Sequence, residues 1–424
     1  MPGGRALLGR ALLGRALLAG RGRGGGRGRG GGGPRGLGAG EPPRGFRFEV
    51  ERASARSGAR AGRLVTPHGE VSTPGFVAVG TNAALKAVDL DAAAACGQQL
   101  MFVNTLHMML APGGAGAVAR AGGLHRFMAR SGPLITDSGG FQVFSMAHAS
   151  VHDELKRKRS SRPDKKGARL LLRVDEEGAL FRSYRDGSLL HLTPEASIAA
   201  QKDLGADIIL PLDELPPYHT SELDLEQSVG RSHRWEARSL AAHRADPRLQ
   251  AMYGIVHGGI SERLRRHSAQ HLARMPFDGF AIGGSIGKGV EELLNVLRWV
   301  CPELPSGLPR HLLGVADEPG ILAAVPFGVD TFDSAFPTQL GRHGTALTRR
   351  EGRLRIKQRR HAEQLEPLDP ECPCPTCTRY SRAYLHHLYK AKEPVLWTHL
   401  SLHNIQHMNL MMARIRQGIL DGKI

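Results

Sequence analysis

The stretch L-I-T-D-S-G-G-F at residues 134–141 holds the pattern that decides the fold: a short apolar run, an aspartate, then paired glycines. Such a run, without strict alternation, is typical of a parallel strand that is buried on both faces. Similar runs recur, several of them followed by amphipathic segments such as residues 290–300. The eight runs are residues 75–79, 99–103, 134–136, 208–212, 252–256, 279–282, 311–315 and 329–332. Eight strand–helix units predict an α/β fold of the (β/α)8 TIM-barrel type, with a doubly wound open sheet as the alternative.

Three segments lie outside this rhythm. Residues 1–44 form an Arg/Gly-rich extension, and residues 1–40 contain eight arginines and no acidic residue. This composition favours a transit peptide to a mitochondrion or plastid, with a disordered extension of a cytoplasmic protein as the alternative. The barrel is assigned to residues 45–370, with a basic insertion at 152–170. Residues 371–424 are predicted to be a small C-terminal zinc-binding subdomain with a closing helix.

The formal net charge of the chain is +17. Because eight of the arginines lie in the first forty residues, the rest of the chain is only moderately basic. The excess favours a polyanionic partner such as nucleic acid, although a solvated basic surface would have the same composition. No apolar run reaches the roughly 18 residues that a membrane span requires, so we expect none.

Three of the five cysteines lie within six residues, in the segment C-P-C-P-T-C. Five cysteines are too few for a disulfide framework in a chain of 424 residues, and this low number favours a reducing compartment. Thiolates at the spacing of Cys372, Cys374 and Cys377 can surround one tetrahedral ion, with a single imidazole completing a closed Cys3His zinc site. The candidates for that imidazole are His399, His403 and His407, which share one helical face at i, i+4 spacing.

Carboxylates and glycines follow the apolar runs, where the active sites of barrels form. Asp137, Asp213 and Asp333 each follow such a run, and we expect Asp330 to lie at the same rim. Paired glycines allow a flat ligand to approach the backbone closely. Two carboxylates that face one ligand suit substitution at an anomeric carbon, one as nucleophile and the other as acid–base. The residues alone leave a glycoside hydrolase and a base-transferring enzyme open.

At this point the chain resembles a known family, the tRNA-guanine transglycosylases or queuine tRNA-ribosyltransferases, over residues 48–424. The matching segments are T-D-S-G-G-F-Q at 136–142, D-I-I-L-P-L-D-E at 207–214, G-F-A-I-G-G at 279–284, D-T-F-D-S-A-F-P-T at 330–338, and C-P-C-P-T-C followed by L-H-N at 402–404. The resemblance implies a zinc-containing barrel that replaces the wobble guanine of tRNA with queuine or its 7-aminomethyl-7-deazaguanine precursor. It also implies a dimer, formed by two copies or with a related subunit.

The resemblance assigns roles to residues by motif position. Asp333 would attack the ribose anomeric carbon and hold the tRNA covalently, while Asp137 would serve as general acid–base. Asp213 would accept hydrogen bonds from the base. Phe141 would stack on one face of the base and Leu313 would lie on the other. His403, within L-H-N, becomes the favoured fourth zinc ligand. The remaining positions are Ser138, Gly139, Gly140, His257 and Gly284 for the base, and Gly314, Asp317, Thr338 and Arg342 for tRNA.

The sequence departs from the family pattern at several of these positions. His257 stands where many members have glutamine, and Lys288 lies near the place of a glutamate. Gln339 stands where many members have an arginine, three residues before Arg342. The lysine that is usual near Asp317 is absent. Because these last two changes remove positive charge, we expect the basic residues 156–169 to contribute to tRNA binding.

Three rival interpretations remain besides a glycoside hydrolase. A non-catalytic RNA-binding partner subunit of such an enzyme would not need both Asp137 and Asp333. A pure RNA-binding module would not need strand-end aspartates beside paired glycines. An archaeal-type enzyme would carry further C-terminal RNA-binding domains.

Overall fold

The computed structural model describes residues 45–148 and 170–424. Its strands are β1 Arg47–Ala53, β2 Arg60–Thr66, β3 Gly69–Thr73, β4 Gly75–Val79, β5 Met101–Val103, β6 Leu134–Thr136, β7 Leu171–Val174, β8 Ala179–Arg182, β9 Leu189–Leu192, β10 Ile208–Ile209, β11 Ala251–Val256, β12 Gly279–Ile282, β13 Arg310–Leu312, β14 Thr331–Ser334, β15 Thr345–Thr348 and β16 Gly352–Arg355.

The α-helices, numbered along the described residues, surround and extend the barrel. They are α1 Leu90–Ala95, α2 Thr105–Met109, α3 Gly114–Arg120, α4 Leu124–Phe127, α5 Gly140–His148, α6 Pro194–Leu204, α7 Glu222–Ala245, α8 Glu262–Leu272, α9 Val290–Val300, α10 Glu318–Ala324, α11 Phe336–Arg342, α12 Pro375–Arg379, α13 Arg382–Ala391 and α14 Val395–Leu420. Short 3-10 helices span Cys301–Glu303, Val325–Phe327 and Arg359–His361.

Eight parallel strands close into a barrel in the order β4, β5, β6, β10, β11, β12, β13 and β14, which returns to β4. Each of the eight apolar runs found in the sequence supplies one of these strands. The barrel prediction is therefore confirmed, and the open-sheet alternative is wrong. Strand β10 is shorter than its run, because residues 210–212 continue buried but without strand pairing. Since all eight strands are parallel, their carboxyl ends meet at one rim.

An antiparallel sheet of β1, β2 and β3 precedes the barrel. Its apolar side chains join the barrel interior in one buried cluster, in which Leu64 and Val71 accompany Val77 of β4. Phe46 meets the ring of Tyr253 edge-on, with the centroids 6.1 Å apart. This sheet was not predicted from the sequence, and its apolar residues pack into the hydrophobic core of the barrel.

A buried ion pair joins this sheet to the last barrel strand. Arg60 Nη2 lies 2.5 Å from Asp330 Oδ2, and Arg60 Nε donates to Oδ1 at 2.9 Å. The backbone N–H of Arg310 donates to the same carboxylate at 2.7 Å. Asp330 immediately precedes β14, whereas Asp333 lies near its carboxyl end. The expectation that Asp330 lies with the active-site carboxylates is therefore wrong. Asp330 and Asp333 are three residues apart along the strand, or roughly 10 Å, and lie toward opposite ends of the barrel.

The C-terminal helix α14 packs against α11 and β15. A Cβ on Gly341 of α11 would lie 2.7 Å from the backbone nitrogen of Ser401, so these two helices approach closely only because residue 341 is glycine. Asn404 of α14 donates to the carbonyls of Pro337 and Thr345, and it accepts from the N–H of Leu347 at 2.7 Å. Within residues 45–148 and 170–424, each helix is too short or too polar to cross a membrane.

Two predicted segments fall on residues that the structure does not describe. These are the extension at 1–44 and, apart from Leu170, the basic insertion at 152–170. The transit-peptide interpretation, the location that it implies and the tRNA contact of residues 156–169 stay predictions.

Candidate active site and metal centre

Asp333 lies near the carboxyl end of β14, where one of its carboxylate oxygens is held by hydrogen bonds and the other is free. Its Oδ1 accepts from the backbone N–H of Gly314 at 2.9 Å and lies 3.1 Å from Nε2 of His311. The other ring nitrogen of His311, Nδ1, lies 2.8 Å from the hydroxyl of Thr331. Within the described chain, Oδ2 of Asp333 has no hydrogen bond, and a tenth of the side chain is exposed. The carboxylate is thus fixed through one oxygen and can attack with the other.

Asp137, which follows β6, is buried and held by four donors. Its Oδ1 accepts from the backbone N–H groups of Thr105 at 2.7 Å and Gly139 at 3.2 Å. Its Oδ2 accepts from the side-chain amides of Asn104 at 2.6 Å and Gln142 at 2.8 Å. Burial raises the pKa of Asp137 above its usual range, although these four hydrogen bonds act in the opposite direction. A fixed carboxyl with a raised pKa suits a group that takes up and releases a proton.

Asp213 lies close to both Ser138 and His257. Its Oδ1 accepts from the Ser138 hydroxyl at 3.3 Å, and its Oδ2 lies 3.4 Å from Nε2 of His257. Burial and the nearby negative charge of Asp137 raise the pKa of Asp213 to about 7, against the Ser138 hydrogen bond. The strands thus bring together three carboxylates that are far apart in the sequence, at one rim.

His257 is buried without a hydrogen bond at either ring nitrogen, as far as the described residues extend. Burial, with the positive charge of Arg265, lowers its pKa to about 3, so the imidazole is neutral. Nε2 also lies 3.7 Å from Oε1 of Glu236, a fully buried carboxyl of α7. Burial and the charge of Asp213 raise the pKa of Glu236 well above its ordinary value. A neutral histidine with unused polar atoms can face a polar edge of a ligand.

Arg265 of α8 fixes the two Gly-containing loops beside the site. This fully buried guanidinium donates to the carbonyls of Val256 and Gly283, both at 2.8 Å. It also donates to the carbonyl of Gly259 at 2.7 Å and to that of Ser285 at 2.9 Å. Because these carbonyls lie at the end of β11 and in the loops after β11 and β12, Arg265 sets the position of Gly284, whose φ of +74° favours glycine.

A cavity of about 420 Å³ opens between these loops and the start of α7. Its lining includes Glu214, Tyr218, His257 and Gly284, and none of the three aspartates lines it. Lys288, which departs from the family pattern, lies over the Tyr218 ring with Nζ 4.2 Å from the centroid. The Tyr218 hydroxyl in turn donates to Glu292 at 2.9 Å. These contacts hold the 285–289 loop at the cavity edge.

The other predicted positions differ in their exposure and in their contacts. Phe141 is half exposed at the start of α5, and Leu313 lies against Gly283, on which a Cβ would be 3.0 Å from Leu313 Cδ1. Asp317 precedes α10, and Arg342 is partly buried in the last turn of α11. Thr338 is buried, and its hydroxyl donates to the carbonyl of Ala335. The Thr338 hydroxyl is therefore bonded within the protein, and its contact with tRNA stays a prediction.

Several site residues were missed in the sequence. His311 lies in a predicted strand, and a polar residue inside an apolar run is a signal that could have identified it. Asn104 and Gln142 hold Asp137, but their role depends on contacts that sequence spacing does not reveal. Glu236 and Arg265 lie on helices, where charged residues are ordinarily interpreted as solvent-facing.

The four predicted metal ligands lie together and are buried. The sulfur atoms of Cys372, Cys374 and Cys377 and a ring nitrogen of His403 all lie within 4.8 Å of one another. Nδ1 of His403 is 3.2 Å from the sulfur of Cys377. Its Nε2 donates to the carbonyl of Leu347 at 2.7 Å, which directs the Nδ1 lone pair toward the thiols. This donor set can hold a metal ion, and neither His399 nor His407 belongs to it.

Comparison with known proteins relates most of the chain to a single family. Residues 55–424 match the model of a family described as "Queuine tRNA-ribosyltransferase". A protein of that name from Protochlamydia amoebophila (strain UWE25) is 51% identical over 379 residues, which cover 89% of this chain and 96% of that protein. Another, from Chlamydia muridarum (strain MoPn / Nigg), is 48% identical over 380 residues, or 89% of this chain and all of the relative.

Proposed function

Since the chain belongs to the queuine tRNA-ribosyltransferase family, we propose that Asp333 is the nucleophile and Asp137 the acid–base of its reaction. Membership of the family makes the protein a pentosyltransferase that exchanges guanine in tRNA for another base. The observation that carries the assignment is the contrast between the two carboxylates. Asp333 has a free oxygen, and Asp137 is enclosed by donors and has a raised pKa.

In the first half of the reaction, Oδ2 of Asp333 attacks the ribose C1′ of the wobble guanosine. An ester bond forms between Asp333 and C1′, and the bond between C1′ and N9 of guanine breaks. Asp137 gives its proton to the departing guanine. The hydrogen bonds that Gly314 and His311 make to Oδ1 of Asp333 aim the other oxygen before any tRNA is bound.

In the second half, the incoming base loses its N9 proton to Asp137 and attacks C1′. The ester to Asp333 breaks, and both carboxyl groups return to their starting states. Because one N-glycosidic bond is exchanged for another, no energy source or redox partner is required. Removal of guanine from the anticodon stack is needed for this chemistry, as in other enzymes that act on flipped bases.

The base would lie flat between Phe141 and Leu313 with its polar edge toward Asp213 and His257. Ionised Asp213 accepts from the amino and ring N–H groups of guanine. His257 has two unused ring nitrogens, one of which can donate to the base carbonyl. The same contacts accept a 7-deazaguanine, since the substituent at position 7 points away from that edge. We propose queuine or its 7-aminomethyl precursor as the incoming base.

The metal of the Cys3His cluster is proposed to be zinc in a structural role. Three thiolates and one imidazole form the closed tetrahedral set that zinc prefers, with no position left for substrate. The site connects α12 and α14 and is tied to β15 by the bond from His403 to Leu347. We further propose a dimer, of two copies or with a related subunit, and the organellar destination expected from residues 1–44.

Exchange of labelled guanine into a tRNA with a wobble guanine tests the assignment. The native protein should incorporate label, while Asp333→Ala and Asp137→Ala should not. If folded, metal-loaded native protein incorporates nothing, the non-catalytic partner-subunit interpretation replaces this one. If Asp333→Ala is as active as the native protein, the enzyme class stands and the nucleophile is wrong.

A further inference from the structure

A second cluster of metal-binding side chains lies far from the cysteines. It consists of His68 in the turn between β2 and β3, His125 of α4, and Asp207 immediately before β10. Nδ1 of His68 is 2.7 Å from Oδ1 of Asp207, and Nε2 of His125 is 3.3 Å from Oδ2. The three ligand atoms lie within 4.8 Å of one another. Three segments that are distant in sequence thus direct ring nitrogens at one carboxylate.

This cluster is at the opposite end of the barrel from the catalytic carboxylates. Asp207 precedes β10, whereas Asp213 follows it. Asp207 also accepts from the N–H of Leu134, the first residue of β6, whereas Asp137 follows that strand. The mechanism described above therefore makes no use of these histidines.

The spacing of the ligand atoms fits a coordinated ion. A tetrahedral ion with bonds of about 2.0–2.2 Å holds neighbouring ligand atoms roughly 3.3 Å apart. The two measured nitrogen–oxygen separations, 2.7 and 3.3 Å, require only small adjustments. The imidazole rings of His68 and His125 are stacked nearly parallel with centroids 3.4 Å apart, so one ring must tilt for both nitrogen lone pairs to meet at the same ion.

Two further features favour a cation over a simple hydrogen-bonded cluster. Nε2 of His125 is buried and makes no hydrogen bond of ordinary geometry in the described chain, although it lies near Asp207. Asp207 is completely buried, and each of its two carboxylate oxygens faces a ring nitrogen of one of the histidines. A buried anion beside an unsatisfied imidazole nitrogen can be satisfied by a cation that both groups bind.

We propose that His68, His125 and Asp207 bind a divalent transition-metal ion of the Zn²⁺ and Co²⁺ class. Two imidazoles select such ions over Mg²⁺ or Ca²⁺, which prefer oxygen ligands. His68 is 41% exposed at its side chain and lines a surface cavity of about 240 Å³, so water can reach the remaining coordination position. The ion joins the β2–β3 turn and α4 to the start of β10. Its role is to stabilise the sheet that packs into the barrel.

Metal titration of the zinc-loaded protein tests this site without relying on enzyme activity. Zn²⁺ or Co²⁺ is added to protein that already carries one ion per chain, and bound metal is counted after removal of the excess. The native protein should rise from one ion to two and should gain thermal stability. Cobalt in this site should give weak visible bands without the intense charge-transfer absorption of a cobalt–thiolate bond, because its ligands are nitrogen and oxygen.

Variants locate the second ion. His68→Ala removes a partly exposed side chain, and the variant should bind only one ion per chain. Its melting temperature should not change when metal is added, and its base exchange should equal that of the native protein. His125→Ala should behave alike, and His387→Ala, at an exposed histidine of α13, should still bind two. A native protein that stays at one ion would overturn the proposal in favour of a metal-free hydrogen-bonded cluster. A second ion retained by both His68→Ala and His125→Ala would also overturn it.

Discussion

The imidazole of His311 joins Asp333 to the strand that carries it. Nε2 of His311 lies 3.1 Å from Oδ1 of Asp333, and Nδ1 lies 2.8 Å from the Thr331 hydroxyl. His311 is fully buried, so its ring is fixed on both sides. The tautomer with its proton on Nε2 satisfies both contacts, because it donates to Asp333 and accepts from Thr331. His311 is therefore a positioning residue for the proposed nucleophile.

Replacing His311 should slow base exchange without abolishing it. His311→Ala removes one of the two groups that hold Asp333 and should lower kcat on the order of a hundredfold, since small displacements of a reacting group cost that much. KM for tRNA should change little, because His311 is buried beneath the site. His311→Gln restores an N–H donor and should recover part of the rate. A loss confined to KM, or equal rates in the two variants, would contradict this role.

Binding of guanine should strengthen as the pH rises through about 7. The pKa of Asp213 is raised to about 7 by burial, and only its ionised form accepts both N–H groups of the base. Equilibrium binding of guanine between pH 5.5 and 8.5 measures this. In Asp213→Asn, binding should be weak and nearly independent of pH over that range. An unchanged pH profile in the variant would assign the titration to another group.

The same carboxyl should contribute to stability in the opposite direction. Because the folded-state pKa of Asp213 is raised above the usual 3.8, its contribution is fully present below that value and is lost as the pH rises through about 7. The stability of the native protein relative to Asp213→Asn should therefore fall between pH 5 and pH 8. Melting temperatures of the two proteins, recorded in parallel, give the difference. A difference that rises with pH would show that the carboxyl is stabilised as an anion.

Removing Arg60 should destabilise the fold strongly, because it leaves Asp330 as an unpaired buried charge. Arg60→Met should cost about 3–5 kcal/mol of the free energy of unfolding, measured with urea. Arg60→Met combined with Asp330→Asn should cost less than the single change. As a control, Arg263→Ala breaks an exposed pair with Glu226 and should have little effect. If Arg60→Met and Arg263→Ala lower the free energy of unfolding equally, the buried pair does not stabilise the fold more than an exposed one.

Histidine variants should distinguish the fourth ligand of the cysteine site. His403→Ala should lose bound zinc and reduce the thermal stability, because the three thiolates are left without the imidazole that closes the set. His407→Ala, one helical turn further along α14, should keep its zinc. Metal content per chain, measured after dialysis, tests both. Loss of zinc in His407→Ala with retention in His403→Ala would reverse the assignment.

The barrel was predictable because parallel strands buried on both faces need apolar side chains along their whole length. That requirement marks each strand in the sequence, from 75–79 to 329–332. The cysteine ligands were equally visible, because C-x-C-x2-C spacing limits the chemistry that the residues can perform. Their histidine partner required the resemblance and is placed in the structure by the bond from His403 to Leu347.

What the sequence could not show depends on contacts between distant residues. Asp330 and Asp333 look alike in sequence, but Arg60, 270 residues away, gives one of them a structural role. Arg265 looks like a solvent-facing residue of α8 until the carbonyls that surround it are known. Thr338 fits a family motif, yet its buried hydroxyl bonds to its own helix. Spacing identifies residue types, and tertiary contacts decide which group each residue meets.

The most direct measurement is capture of the covalent intermediate between the protein and tRNA. Native protein mixed with tRNA that carries a wobble guanine is denatured, separated on a gel and digested, and the ribosylated peptide is identified by mass. We expect an adduct at residue 333 that disappears when incoming base is added and is absent in Asp333→Asn. An adduct that persists in Asp333→Asn, or that maps to Asp137, would contradict the assignment of Asp333 as the nucleophile.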